Sequence, residues 1–169
     1  KATVAGVEVE IRKNLFVRPV SNAAHGMNKL SLGLNSSYIY TNAKMPLSTV
    51  TTGSQLEGAA PWIVNFDLSH NFTKGERSFV NTLVLNYVSD KIYTIGTQGY
   101  QDIMEQGVLT LDFVSQAKLN KHLSFNLKAR NLLNPSYKLS RKANENGEKV
   151  ILNDYKKGIN ISLGVSCTF

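Results

Sequence analysis

The sequence predicts an all-β chain, the wall of an antiparallel transmembrane β-barrel, on three observations. From Ile159 to the terminal Phe169 every odd position is apolar, and every even one is small or polar: Asn160, Ser162, Gly164, Ser166, Thr168. Strand side chains alternate between faces, so the run has one apolar and one polar side. Its eleven residues match the about 9–11 that a strand needs to cross a bilayer, where strands of soluble proteins are about 5–6 long. The same period recurs in six segments upstream. Finally, the connections are long after the second, fourth and sixth segments and short after the third and fifth, as in outer-membrane barrels with short periplasmic turns and long external loops.

Composition fits that class. The chain of 169 residues is 42% hydrophobic with a mean hydropathy of −0.17, and no run approaches the roughly 18 apolar residues of a membrane helix. Only helices and closed barrels satisfy every backbone group in lipid, so a membrane form of this chain is a barrel. The net charge is +7. Nucleic-acid binding would gather the cations on one face with aromatics between them. Here they are spread over turns and loops, most densely at Lys138, Arg141, Lys142, Lys149, Lys156 and Lys157. That is the pattern of a solvated rim suited to anionic lipid headgroups, and no nucleic-acid partner is expected. Cys167 is the single cysteine, so no internal disulfide forms; in its apolar phase it serves as a small hydrophobe. The opening Lys1-Ala2-Thr3-Val4 has no charged region followed by an apolar core and cleavage site.

The first strand spans about Ala2 to Leu15, with Val7, Val9 and Ile11 opposite Glu8, Glu10 and Arg12. Charges alternating with β-branched residues require one wet face. Phe16 to Asn28, with Pro19 and Gly26, reads as a connection. The second strand, about Lys29 to Thr41, sets Leu30, Leu32, Leu34, Tyr38 and Tyr40 against Ser31, Gly33, Asn35 and Ser37. Its tyrosines cluster at one end, as in interfacial girdles. Asn42 to Ala60 is a long loop.

The third strand, Pro61 to Phe72, puts Trp62, Val64, Phe66, Leu68, His70 and Phe72 on one face, and a tight turn at Thr73 to Arg77 follows. In the fourth, about Ser78 to Tyr93, Phe79, Leu83, Leu85 and Tyr87 share a face that Asn81 interrupts. A second loop covers Thr94 to Gln106. The fifth strand, Gly107 to Leu119, and the sixth, around Leu123 to Arg130, meet at a turn at Asn120-Lys121. A third long connection, Asn131 to Asp154, leads to the last strand and holds a possible short strand at Val150 to Leu152. With the long loops outside, the last strand descends and Phe169 reaches the periplasmic face. Seven antiparallel strands leave two unpaired edges, and single-chain bacterial barrels have an even number of strands. Further strands are therefore expected before Lys1.

Four features then carry a resemblance: Gly6-Val7-Glu8 opening a descending strand, Asn131-Leu132-Leu133-Asn134-Pro135-Ser136-Tyr137 after the sixth strand, Gly158 before the last, and terminal Phe169. Together they make residues 1–169 similar to the C-terminal part of a TonB-dependent outer-membrane receptor, with Cys167 and Lys157 standing where the family often has an aromatic residue and Arg. The resemblance implies a Gram-negative outer-membrane location and a barrel of about 22 strands with a plug. It implies active import of a scarce ligand, an iron chelate, cobalamin or a glycan, energised by TonB through a plug that residues 1–169 do not contain. It also implies outer-membrane lipid and the barrel-assembly machinery as partners, with Phe169 as part of the assembly signal as well as a lipid anchor. Two other classes share the alternation: a complete small barrel with an adhesive or structural role, its eighth strand formed by Val150 to Leu152 or by residues read as loop, and a soluble lipid carrier whose apolar phase faces inward.

No enzyme, cofactor or metal site is expected. His25, His70 and His122 lack metal-ligand spacing, and neither a Gly-x-Ser-x-Gly elbow nor a phosphate-cradling glycine loop occurs. Glu8, Glu10, Asp67 and Asp112 lie on polar phases, where Arg12, Lys118, Lys128 and Arg130 meet them across a wet lumen or a plug. Binding groups tend to sit on loops held by a rigid scaffold. Tyr93, Gln98, Tyr100 and Gln101 in the second loop, and Tyr137 near the third, are the candidate ligand contacts; girdle aromatics and solvated loop groups are the plainer alternative.

Overall fold

The computed structural model describes residues 1–20, 26–43, 55–96, 100–143 and 148–169. The described residues form eleven antiparallel strands and no helix. They are β1 (Ala2–Pro19), β2 (Met27–Ala43), β3 (Trp62–Lys74), β4 (Arg77–Val88), β5 (Lys91–Thr94), β6 (Ile103–Glu105), β7 (Val108–Lys118), β8 (Leu123–Arg130), β9 (Ser136–Lys142), β10 (Lys149–Lys156) and β11 (Asn160–Cys167). A seven-stranded sheet has the order β1-β2-β3-β4-β7-β8-β11, and a four-stranded one the order β10-β9-β6-β5.

The fourth strand of the sequence reading is two strands. It breaks at Ser89-Asp90, where β4 ends in the large sheet and β5 begins the small one. The Ser89 backbone N–H donates to Trp62 O (2.9 Å) and its hydroxyl accepts from Trp62 N (3.0 Å), so the break is pinned to the start of β3. Two connections also contain strands: β6 lies in the second, β9 and β10 in the third. Val150 to Leu152 does form a strand, but β10 pairs with β9 rather than with β1. The segment from Phe16 is likewise partly strand. A bulge between Asn14 and Phe16 re-phases β1, and the ladder continues to Pro19 opposite Met27.

Cross-strand pairs share a face, so the register shows how far the apolar side extends. One row runs Ile11, Leu34, Phe66, Leu85, Leu111 across β1, β2, β3, β4 and β7. Another runs Leu32, Leu68, Leu83, Phe113, Ala129, Ile161 from β2 to β11. Aromatic residues bound these rows at both ends. Tyr38 packs on Trp62 with centroids 4.7 Å apart at one end, and Phe72 meets Phe79 at 6.3 Å at the other. From Trp62 to Phe72 the strand rises about 33 Å at ~3.3 Å per residue.

Polar residues interrupt this face: Lys13 is opposite Leu32 on β1, Ser36 stands between Val9 and Val64, and a larger patch lies in the middle strands. His70, Asn81 and Ser115 are in register on β3, β4 and β7. His70 Nε2 lies 2.8 Å from Asn28 Oδ1, and the Ser115 hydroxyl donates to Asn81 Oδ1 at 2.7 Å. The residue that interrupts the apolar phase of β4 is thus hydrogen-bonded within the face.

The opposite face is polar. Asp67 reaches over Gly33 toward Arg12, its partner two strands away, and the Asn35 amide donates to Glu8 (2.5 Å). Nothing in the described residues covers either face, and no large side chain is fully buried. Even in central strands Phe66, Leu83 and Leu109 remain 37–41% exposed, and Leu163 on β11 is 72% exposed. β1 and β11 are free edges, so among the described residues the large sheet does not close on itself.

Candidate functional site

The small sheet is an extension of the long-connection end of the wall, made from two excursions. The chain leaves β4, runs out along β5 and back along β6 into β7; it leaves β8, runs out along β9 and back along β10 into β11. Pairing of β6 with β9 joins the excursions, and the Gln106 N–H adds a bond to Lys138 O (2.9 Å). The described end of the β2–β3 connection packs on this sheet, with Gly58 N donating to Ile92 O (2.8 Å) and Ile95 N to Glu57 Oε1 (2.7 Å).

Where the second excursion leaves the wall, the Asn-Leu-Leu-Asn segment makes a corner. Asn131 and Asn134 both adopt left-handed backbone conformations, with φ of 58° and 44°. Asparagine tolerates that region better than most residues. The Asn131 N–H donates to Asp112 Oδ1 (2.8 Å) and its amide to Gly158 O (2.7 Å), while Gly158 N donates to Asn134 Oδ1 (3.0 Å). The Leu132 N–H completes the corner on Leu111 O at 2.8 Å. Gly158 has φ of 80°. The motif residues far apart in sequence therefore meet at one point, which fixes how the extension stands on the wall.

Tyr137, from the same motif, is buried. Its ring stacks on Tyr155 (5.5 Å, 22° between planes), and the Lys157 ammonium lies 3.8 Å from its centroid. A cation over an aromatic face is attracted by the ring quadrupole. Beside it a hollow of about 390 Å³ is lined by Tyr93, Glu105, Tyr137, Leu139, Asn153 and Tyr155. Lys91 pairs with Glu105 at 3.3 Å, across the β5–β6 register.

Of the five candidate contacts, Tyr93 and Tyr137 line this hollow. Gln101 lines a second one, of about 320 Å³, with Asp90, Asp102, Met104, Ser140, Arg141, Lys142 and Lys149. Tyr100 stands beside it with the Arg141 guanidinium 5.1 Å from its ring centroid. Asp90 Oδ1 accepts from Gly107 N (2.6 Å) and Asp102 Oδ1 from Gly96 N (2.8 Å), so both carboxylates cap backbone. Gln98 lies outside the described residues, as do His25 and residues 144–147.

Glu105, Asn153 and Tyr155 were not singled out from the sequence. Tyr155 faces Tyr137 only through the β9–β10 register, and Asn153 reaches that face through a bulge. The one available signal was the tyrosine just ahead of the last strand. Among the described residues no group of three or more His, Cys, Asp or Glu side chains stands ready to hold a metal.

Phe169 lies beyond β11 and is wholly exposed. The residue before it is tied to the β7–β8 turn: Thr168 N donates to His122 O (2.8 Å), and Thr168 O lies 2.7 Å from His122 Nδ1. The chain end thus sits with the short turns, at the opposite end of the wall from the extension.

Comparison of the chain with protein-family models, with curated proteins and with solved structures found no match.

Proposed function

We propose that the chain forms part of the wall and outer rim of an outer-membrane receptor, one that imports a scarce ligand, such as an iron chelate, cobalamin or a glycan, with energy delivered by TonB through a plug. The observation that carries this is the apolar face, whose in-register rows together reach all seven strands of the large sheet and which aromatic residues bound. At the ~40° strand tilt of outer-membrane barrels, the about 33 Å from Trp62 to Phe72 would stand about 25 Å high, the height of their lipid-facing band. A soluble sheet with so large an uncovered apolar side would associate or aggregate. Free edges at β1 and β11 support membership of a larger barrel, because in lipid each unpaired backbone group costs several kcal/mol.

Labelling in intact Gram-negative cells tests this, using the gene that carries the chain with Cys167→Ser as background. A membrane-impermeant maleimide is expected to label Lys149→Cys in the extension on whole cells, and Glu76→Cys in the β3–β4 turn only after the outer membrane is opened. Ligand uptake is expected to stop when TonB is deleted. Recovery of the protein in the soluble fraction, or equal labelling at both positions, would overturn the membrane assignment. Uptake that survives without TonB would overturn the import mechanism alone.

A further inference from the structure

We infer that the hollow of Tyr93, Asn153 and Tyr155 is a binding site for a neutral sugar ring, so that the ligand of this extension is an uncharged oligosaccharide. The sugar's import rests on the function proposed above; its binding does not.

Two β-bulges shape the hollow. In the small sheet β10 and β5 are the outer strands and β9 and β6 the inner ones. On β5 the register slips between Ile92 and Thr94, leaving Tyr93 as the extra residue; on β10 it slips between Ile151 and Asn153, leaving Leu152. Bulges bend a strand and re-aim its side chains, and they concentrate next to functional sites. Here the residue on each bulge or just after it lines the same hollow, one from each outer strand. Tyr93 and Asn153 therefore face one space between them, with Leu139 and the buried Tyr137 lining it from β9.

The chemistry of that space selects the ligand. Tyr155 is braced by stacking on Tyr137, yet it stays 44% exposed, and Tyr93 is 54% exposed. These rings offer rigid planes with a polar hydroxyl at the edge. A pyranose has matching parts, an apolar face of C–H groups and a rim of hydroxyls that both donate and accept. The Asn153 amide does both as well, and a carboxylate such as Glu105 accepts. Glu105, the one charged residue of the lining, is neutralised by Lys91 at 3.3 Å, and the nearby Lys157 ammonium lies against the Tyr137 ring rather than in the lining. An anionic ligand would want cations there. Arg141, Lys142 and Lys149 instead line the neighbouring hollow, with Asp90 and Asp102. The volume of about 390 Å³ lies near the lower end of the roughly 300–1,000 Å³ usual for small-molecule sites. That suits one or two rings of a longer chain.

The test is direct binding to the purified protein in a non-ionic detergent, read by saturation-transfer NMR and by calorimetry. The probes are neutral oligosaccharides of glucose, mannose, galactose and xylose, two to six residues long, against polygalacturonate and a sulfated dextran. At least one neutral series is expected to bind and the charged polymers are not. Tyr93→Ala, a change at a sheet edge, is expected to weaken binding tenfold or more, and Asn153→Ala about fivefold. Tyr155→Phe keeps the stack on Tyr137 and is expected to stay within threefold of the parent; Tyr155→Ala is expected to lose at least tenfold. Tyr100→Ala, outside the hollow, is expected to change affinity less than twofold. The site is wrong if no neutral series binds, if only the charged polymers bind, or if Tyr93→Ala binds as the parent does. Sugar binding without TonB-dependent uptake would leave the site standing and remove the import function.

Discussion

Gly158 is the residue on which the corner turns. Its φ of 80° lies where a Cβ is strained, although a Cβ there would meet no atom within 4 Å. Gly158→Ala is therefore expected to cost about 1–2 kcal/mol through backbone strain alone, with no packing clash to relieve. Chemical denaturation of the parent and variant in detergent measures it. Gly107→Ala is the opposite case: its Cβ would come 2.8 Å from Val88 O and 3.1 Å from Asp90 N, backbone atoms that have to shift. At the other end of the wall Phe169 touches nothing that it could stabilise. Phe169→Ala is expected to weaken unassisted folding into lipid vesicles by no more than about 2 kcal/mol, the loss of one lipid-facing aromatic side chain, and to lower the amount assembled in the outer membrane several-fold, as gel shift on heating and quantitative blotting report.

Among the elements, the β9–β10 hairpin has a built-in conflict. Lys142 and Lys149 stand directly opposite in register, whereas the pair at its other end, Lys138 and Asp154, is of opposite sign with atoms 3.8 Å apart. Like charges opposite one another destabilise a strand pair, and opposite charges contribute about 0.2–1 kcal/mol. Lys149→Glu is therefore expected to stabilise the hairpin by up to about 1 kcal/mol, seen as slower hydrogen exchange over 136–156. The hairpin also shows what the sequence could reveal and what it could not. The faces of β1, β2, β3, β7, β8 and β11 were legible because period two survives over many residues, and even Asn81 fell on the correct face of β4. The extension was legible only as a short strand at Val150 to Leu152 and as the end of the fourth segment, because β6 has three residues and bulges at Tyr93 and Leu152 break the phase. Tyr93 and Tyr137 were identified by residue type; Asn153 needed a register that no local pattern encodes.

Across the whole molecule, the two faces of the wall are expected to respond oppositely to the same substitution. Leu83 sits midway up the apolar face, between Leu68 and Phe113. Leu83→Arg is expected to cost about 2–4 kcal/mol in a bilayer. Val84, its neighbour in the chain, lies on the polar face between Asp67 and Asp112, where an arginine gains two acidic neighbours. Val84→Arg is expected to cost less than about 1 kcal/mol. Urea titration of the protein in lipid vesicles distinguishes the two; equal costs would mean that neither face meets lipid. The two alternatives raised by the alternation fare differently. Val150 to Leu152 pairs away from β1, so it does not close a small barrel. An inward-facing apolar lining would predict the same penalty at Leu83 in plain buffer, without lipid.

The corner also has a kinetic consequence. The wall is left at Arg130 and rejoined at Asn160, residues that face each other across the β8–β11 ladder. Closing a flexible loop of that length costs about 3 kcal/mol by (3/2)RT ln n with n near 30. The bonds of Asn131 and Asn134 to Gly158 make that closure without any ladder bond of β11. A chain already closed at the corner would start β11 at Asn160, next to Arg130, and fix its register from that end.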